Sequence, residues 1–296
     1  MDEAAFLQAL RRLPLHPGAR GLADDAAVVG DLVLTTDTLV EGVHFLAHDP
    51  PGDVAWKLLA VNLSDLAAKG ATPEGVLLNY PLSTPEWDAA FLAGFGEALA
   101  VFACPLIGGD TVSLPPGAPR VLTLTAIGRD AAAPVRGGAR AGDTLWVTGT
   151  IGDAGAGLRI ARGEPGSAVL LDAYRRPRAC LAEGRALAAV VHAMSDVSDG
   201  LLIDAARMAA ASGLAVAVDL DAVPLSSALL GFDPDPLAAA TAGDDYVLLF
   251  ALPPDTASPV PATCIGAFAA GSGLTVMQHG RPMPPPDRLG WEHRPS

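Results

Sequence analysis

Cysteine is scarce in this 296-residue chain: Cys104, Cys180 and Cys264 stand far apart in apolar or Ala-rich surroundings, with no Cys-x-x-Cys pair. They are expected to be buried free thiols of a reducing compartment. Basic residues are few as well, 19 Lys and Arg against 33 Asp and Glu, for a net charge of −14 and a pI near 4.6. That balance excludes nucleic-acid binding, which needs a basic patch. There is no Gly-Lys-Ser/Thr anywhere, and the loop Gly149–Gly157 does not fit Gly-x-Gly-x-x-Gly, so neither a Walker-type nor a Rossmann-type nucleotide site is present. Long apolar runs are missing too. The nearest, Ala89 to Ile107, is broken by Gly94, Gly96, Glu97 and Pro105 and reads as a core helix followed by a strand, not as a membrane span. The start, Met1-Asp2-Glu3, lacks the basic residues of a signal peptide, so a cytoplasmic location is expected.

What the chain has is a globular composition, half its residues hydrophobic and 18% charged, and a length sufficient for two domains, or one large one, with a well-buried core. Against that background, carboxylates recur at strand ends and helix starts. The central stretch is Thr35-Thr36-Asp37-Thr38-Leu39-Val40-Glu41-Gly42-Val43-His44-Phe45. A short strand over Asp31–Leu34 is expected to deliver two threonine hydroxyls and Asp37 to its end, with Glu41, Gly42 and His44 in the loop beyond. Hydroxyl and carboxylate oxygens crowded together suit a hard cation such as Mg²⁺. Asp24-Asp25 forms a second acidic node. Taken singly, each node is also an ordinary acidic turn; their number sets this chain apart.

A helix from Asp53, expected as N-cap, to Gly70 carries Leu58, Val61 or Asn62, and Asp65 on one face, so polar groups continue an apolar stripe. A buried carboxylate there needs either a structural hydrogen bond or a bound cation. Ser83-Thr84-Pro85-Glu86 starts the next helix, with Pro at its first turn and a possible capping box. Gly108-Gly109-Asp110 reads as a turn whose N–H groups face a phosphate or which merely closes a hairpin. Val121–Ile127 is a strand expected to need an edge partner. The best boundary is Ala131–Gly142, giving domains 1–135 and 136–296; Arg136 within it is either a phosphate contact or a plain linker arginine. In the second half, strand Thr144–Thr148 and the Gly-rich loop after it form a possible anion cradle. Ser195–Gly200, with Asp196, Ser198 and Asp199, is a further acidic node that opens a helix over Leu201–Ser212 stopping at Gly213; taken alone, Ser198 and Asp199 read as caps of that helix. Ala242-Gly243-Asp244-Asp245-Tyr246 precedes strand Val247–Ala251, repeating the acidic-pair arrangement of Asp24-Asp25. The alternation makes the fold class α/β (α+β).

Four runs, in this order and separation, resemble the thiamine-monophosphate kinase family, of the superfamily that includes aminoimidazole ribonucleotide synthetase. They are Thr36–Phe45, Ala60-Val61-Asn62-Leu63-Ser64-Asp65-Leu66-Ala67-Ala68, Leu106–Thr111 and Asp196-Val197-Ser198-Asp199-Gly200-Leu201. The resemblance spans about Ala23 to His293. It implies a two-domain aminoimidazole ribonucleotide synthetase-like fold whose N-terminal domain binds ATP and Mg²⁺ and pairs in a homodimer, the C-terminal domain completing the site. It implies phosphorylation of thiamine monophosphate by ATP to thiamine diphosphate, the last step of thiamine diphosphate biosynthesis, with several Mg²⁺ ions. Position by position, Asp25, Thr35, Thr36, Asp37, Asp65, Asp110, Asp196 and Asp199 would hold metal, with Asp37 and Asp110 central to catalysis. Phe102, Gly109, Asp110, Arg136 and Ser198 would contact ATP, and His44, Asp244 and Trp291 the thiamine phosphate. Asp244 replaces a glutamate usual at its position. Another ATP-dependent enzyme of the superfamily, or a non-catalytic metal-binding relative, is the alternative.

Overall fold

A computed structural model of the chain describes residues 3–129 and 133–293; the acidic start at Met1-Asp2 and the first residues of the expected linker lie outside them. The first half contains α1 (Glu3–Leu10), β1 (Ala27–Val29), β2 (Leu32–Val40), α2 (Pro51–Ala68), β3 (Thr72–Leu82), α3 (Pro85–Val101), β4 (Leu106–Ser113) and β5 (Val121–Arg129). Its strands form one sheet in the order β1-β2-β5-β3-β4, antiparallel except for the parallel pair β3–β4. The second half contains β6 (Thr144–Val147), α4 (Asp153–Ala161), α5 (Ala168–Arg175), α6 (Leu181–Leu187), β7 (Ala193–Asp196), α7 (Leu201–Ser212) and β8 (Ala215–Asp219). It continues with α8 (Ser227–Leu230), α9 (Pro236–Thr241), β9 (Leu248–Leu252), β10 (Thr263–Ala269), β11 (Gly273–Gln278) and β12 (Arg281–Met283). Its sheet runs β12-β11-β8-β10-β6-β9-β7. Among the described residues, no helix is long and apolar enough to cross a membrane.

Helix α2 joins the halves. Leu58, Leu59, Leu63 and Leu66 are fully buried in the core of the first sheet. Ala67 and Ala68, at its end, pack instead with Met194, Leu248, Phe250 and Leu252 of the second sheet. Each buried leucine contributes about 1.5–3 kcal/mol, so a helix apolar all round is held from both sides. The backbones come close where α6 crosses α2: a Cβ on Gly184 would sit 2.0 Å from the Ala67 carbonyl.

The structure corrects several local expectations. Strand β2 does not end at Leu34. It runs to Val40, because the β-branched threonines pair along the whole of β5, and Thr35, Thr36 and Asp37 therefore lie in mid-strand. Gly108-Gly109-Asp110 is not a turn but part of β4, which lies beside β3; a Cβ on Gly109 would be 1.9 Å from the Leu78 carbonyl. Val121–Ile127 needs no edge partner, since β5 is paired on both sides, and the open edge is β4. The N-cap of α2 is Pro50, with Asp53 in the first turn. Cys104 and Cys180 are buried, but Cys264 is exposed beside a register shift in β10. The helix start expected at Ser83–Glu86, by contrast, is there, with Thr84 as the N-cap of α3 and Pro85 in its first turn, and α7 spans Leu201–Ser212 and stops at a left-handed Gly213.

The Gly-rich loop after β6 is not an open anion cradle. Asp245 fills it, accepting from the Gly152 N–H at 2.8 Å and the Ala154 N–H at 3.4 Å. Burial pushes the Asp245 carboxyl up to about 8 despite those two donors. Between the usual carboxylate range and that value, the unfolded chain is ionised while the native one keeps its proton, so this group lowers stability as pH rises. Asp245→Asn is therefore expected to stabilise the protein at pH 8 by on the order of a few kcal/mol and at pH 5 by clearly less. Thermal melts at both pH values check this; a lower melting temperature at pH 8 would mean that the ionised carboxylate is what caps α4.

Candidate active site

The site forms where β2, α2 and β7 meet, with the Asp24-Asp25 turn lying over them. One carboxylate oxygen each from Asp25, Asp65 and Asp196 lies within 4.8 Å of the others. The spacing on α2 that left open a structural or a cationic role for Asp65 turns it toward β2, where the Thr35 hydroxyl donates to Asp65 Oδ2 at 2.5 Å. One turn earlier on α2, Asn62 Oδ1 accepts from the Asp37 N–H at 2.9 Å and fixes the strand against the helix. From the second domain, Asp196 at the end of β7 accepts from the Ser64 hydroxyl at 2.6 Å.

Three buried carboxylates this close repel one another. Burial pushes Asp65 well above the ordinary carboxylate range, with Asp37, Asp196 and Asp25 adding to the effect. Asp196 rises to about 8, through burial and then Asp25. Asp37 rises to about 6, through burial, then Asp199 and Asp25. Asp25 goes the other way: burial alone would raise it, but Lys69 and Arg136 outweigh that and hold it below its usual value. Asp25 Oδ2 is buried and finds no hydrogen-bond partner, although Lys69 Nζ lies 2.7 Å away. Three converging carboxylates with the Thr35 hydroxyl beside them are an all-oxygen donor set that fits a hard divalent cation.

Two arginines stand on carboxylates expected to hold metal. Arg136 is no exposed linker residue; its guanidinium pairs with Asp25 Oδ1. Arg207 Nη1 donates to Asp199 Oδ2 at 2.5 Å and to Asp204 Oδ1 at 2.9 Å. Asp204 Oδ2 accepts the N–H groups of both Ser198 and Asp199 at 3.1 Å, so it shapes the turn that carries them. The loop before α7 is thus braced by a carboxylate from inside the helix, and Ser198 and Asp199 are not its caps.

Other expected positions lie apart. The side chain of Thr36 points to the opposite face of the sheet, donating to the Leu124 carbonyl at 3.1 Å and accepting from Thr125 Oγ1 at 3.2 Å. Gly109 and Asp110 are exposed on β4, three strand spacings from β2, or about 14 Å. Phe102 caps α3 and packs on Trp56, ring centres 5.2 Å apart. At the far side of the cleft, the Val40 N–H donates to His44 Nδ1 at 3.0 Å, which leaves the other ring nitrogen to carry the proton. Burial, then His293 at 5.6 Å, lowers the His44 pKa and keeps the ring neutral. Trp291, half exposed, is anchored by its backbone N–H donating to the Asp199 carbonyl at 2.8 Å.

Residues that the motifs did not single out are Lys57, Ser64, Lys69, Asp204 and Arg207. Both lysines interrupt an otherwise apolar helix or its end, and Asp204 with Arg207 form an i, i+3 pair in the first turns of α7; those were the available signals.

Two mixed α/β domains closing over a carboxylate cluster define the class. Residues 23–129 match the AIR synthase related protein, N-terminal domain, and residues 140–270 the AIR synthase related protein, C-terminal domain. Within that class, thiamine-monophosphate kinase of Caulobacter vibrioides is 40% identical, the alignment covering 94% of this chain and 86% of the relative. That of Salmonella typhimurium is 38% identical, covering 92% and 91%. A solved structure described as AaThiL complexed with AMPPCP and TMP superposes with a TM-score of 0.86 at 28% identity, covering 99% of this chain and 97% of the other. The chain belongs to the thiamine-monophosphate kinase family and is a phosphotransferase.

Proposed function

We propose that this phosphotransferase moves the γ-phosphoryl group of ATP directly onto the phosphate of thiamine monophosphate, giving ADP and thiamine diphosphate in the cytoplasm. The observation that carries the reading is the buried Asp25–Asp65–Asp196 cluster at the junction of the two domains, in a chain alignable almost end to end with the kinases. Several magnesium ions are assigned to Asp25, Thr35, Asp37, Asp65, Asp196 and Asp199 around the cluster and, on the family resemblance alone, to Thr36 and Asp110, which stand off that face within one chain. When bound, they supply charge neutralisation to phosphate oxygens in a reaction between two anions. ATP is assigned to Phe102, Gly109, Asp110, Arg136 and Ser198, and the acceptor to His44, Asp244 and Trp291.

The chain's own part is to align and to neutralise. Arg136, whose guanidinium stands beside Asp25 at the edge of the cluster, would pair with a nucleotide phosphate. His44, held neutral with its proton on the outer nitrogen, offers one donor to the acceptor. Nothing needs to remove a proton, because a phosphate monoester loses its second proton near pH 6. Domain roles follow the division proposed at 135/136. The first domain binds ATP and metal and pairs in a homodimer; the second completes the site.

Pairing is supported by what the first domain leaves uncovered: Leu106, Ile107 and Val112 are exposed along β4, and Thr36, Thr38, Thr123 and Thr125 form a hydroxyl ladder on the open sheet face. Light scattering at micromolar concentration is expected to give twice the chain mass of 30.0 kDa; a monomer would contradict the pairing. For the reaction, ADP release is expected only when magnesium, ATP and thiamine monophosphate are all present. Release that ignores the acceptor would favour another ATP-dependent enzyme of the superfamily, and none at all a non-catalytic metal-binding relative.

A further inference from the structure

Lys57 lies in the middle of α2 with its side chain 2% exposed. Burying an ammonium costs several kcal/mol unless its charge and donors are met, and a leucine would fill the same space in an apolar helix. Its three N–H groups face three partners. Nζ donates to Asp244 Oδ2 at 2.8 Å and to the His44 carbonyl at 3.1 Å, and it sits 4.1 Å from the centre of the Tyr174 ring. No donor is left for a substrate.

Those partners come from separate parts of the chain: the loop after β2, the loop before β9, and α5. The loop before β9 is strained, with Asp244 at φ 74° and Tyr246 at φ 51°, left-handed values that non-glycine residues adopt only when their surroundings impose them. Tyr246 donates its hydroxyl to Asp244 Oδ1 at 3.1 Å, so each oxygen of the carboxylate is held by one donor. Asp244 remains 30% exposed, on the same side as His44 and its neighbour His293. One buried ammonium therefore grips both walls of the pocket assigned to the acceptor, one from each domain.

We infer that Lys57 is the positioning residue of the acceptor pocket, holding His44 and Asp244 at a fixed separation and offsetting the Asp244 charge so that a phosphate monoester bearing a cationic aromatic ring is accepted. This rests on the activity proposed above. Lys57 touches neither nucleotide nor acceptor; it acts through the two residues it holds.

The test is calorimetric binding of thiamine monophosphate and, separately, of a non-hydrolysable ATP analogue with magnesium, together with steady-state kinetics. Lys57→Met is expected to weaken the acceptor by about tenfold or more, the loss of a fixed charged hydrogen bond. It is expected to raise KM for the acceptor and to leave the affinity and KM for the nucleotide within about twofold of wild type. A double-mutant cycle separates positioning from plain stability. In an Asp244→Asn background, adding Lys57→Met is expected to cost the acceptor little more, since the charge it holds is already gone. That double variant also buries no unpaired charge, so it carries the test if Lys57→Met alone fails to fold. Unchanged acceptor affinity in Lys57→Met, equal losses for nucleotide and acceptor, or fully additive losses in the cycle would each overturn the role given to Lys57. A wild-type chain that binds the nucleotide but no thiamine monophosphate would instead refute the acceptor assignment, and this inference would fall with it.

Discussion

Replacing Asp37 with asparagine is expected to remove turnover, by at least about a hundredfold, while leaving the protein folded. The carboxylate is nearly isosteric with the amide, and the strand position is fixed by the Asp37 N–H donating to Asn62, a bond the substitution does not touch. What changes is charge. The repulsion from Asp199 and Asp25 that helps push Asp37 up to about 6 is relieved, so the variant should melt at the wild-type temperature or a few degrees above it. On the function proposed above, the same change removes a hard anionic ligand from the centre where two phosphates would meet, and no other carboxylate on that face of β2 replaces it. Loss of activity with an unchanged or raised melting temperature is the expected pair of results. An early global unfolding of Asp37→Asn would mean that the carboxylate serves the fold.

Lys69→Met is expected to do the reverse, costing stability first. Lys69 is fully buried, with its ammonium 2.5 Å from Asp24 Oδ1, 2.7 Å from Asp25 Oδ2 and 3.1 Å from the carbonyls of Pro134 and Met194. Those groups belong to the Asp24-Asp25 turn, the segment entering the second domain, and β7. Removing one partner of a buried ionic cluster costs about 3–5 kcal/mol, because the remaining charges stay desolvated. Asp24 would keep Arg20, and Asp25 would keep Arg136, so the loss should fall short of complete unfolding. Denaturant titration with an unchanged m-value measures it. If Asp24→Asn in the same chain restores much of the loss, uncompensated charge is the cause; if it does not, packing of the lysine stem matters more.

Much of this was legible in the sequence, and the illegible part has a physical pattern. Runs such as Thr36–Phe45 and Asp196–Leu201 carry their chemistry in adjacent residues, so both the family and the acidic nodes could be read without a structure. The α2 stripe announced Asn62 and Asp65 because helical spacing puts them on one face, although whether a hydrogen bond or a cation met Asp65 needed β2 and β7 in place. Lys57, Lys69 and Arg207 were missed because their meaning lies in partners far away in sequence, 45 residues for the Lys69–Asp24 pair and 187 for Lys57–Asp244, or on the next turn of a helix. A lysine in an apolar helix looks the same in sequence whether it snorkels to solvent or closes a buried cluster. The mid-strand placement of Asp37 was hidden for a simpler reason: threonines serve equally well at strand ends and in strand interiors, and only pairing with β5 decides. The Gly-rich loop misled because an internal anion, Asp245, fills a helix start that a phosphate would suit equally well.

The proposed direct transfer from ATP to a phosphate acceptor is tested most directly by following the label in a single turnover. With γ-labelled ATP, magnesium and enzyme in excess, the label should pass to thiamine diphosphate in one phase, and none should be found on the protein when thiamine monophosphate is withheld. Label trapped on the protein without acceptor, or released as inorganic phosphate while thiamine monophosphate stays unlabelled, would contradict it.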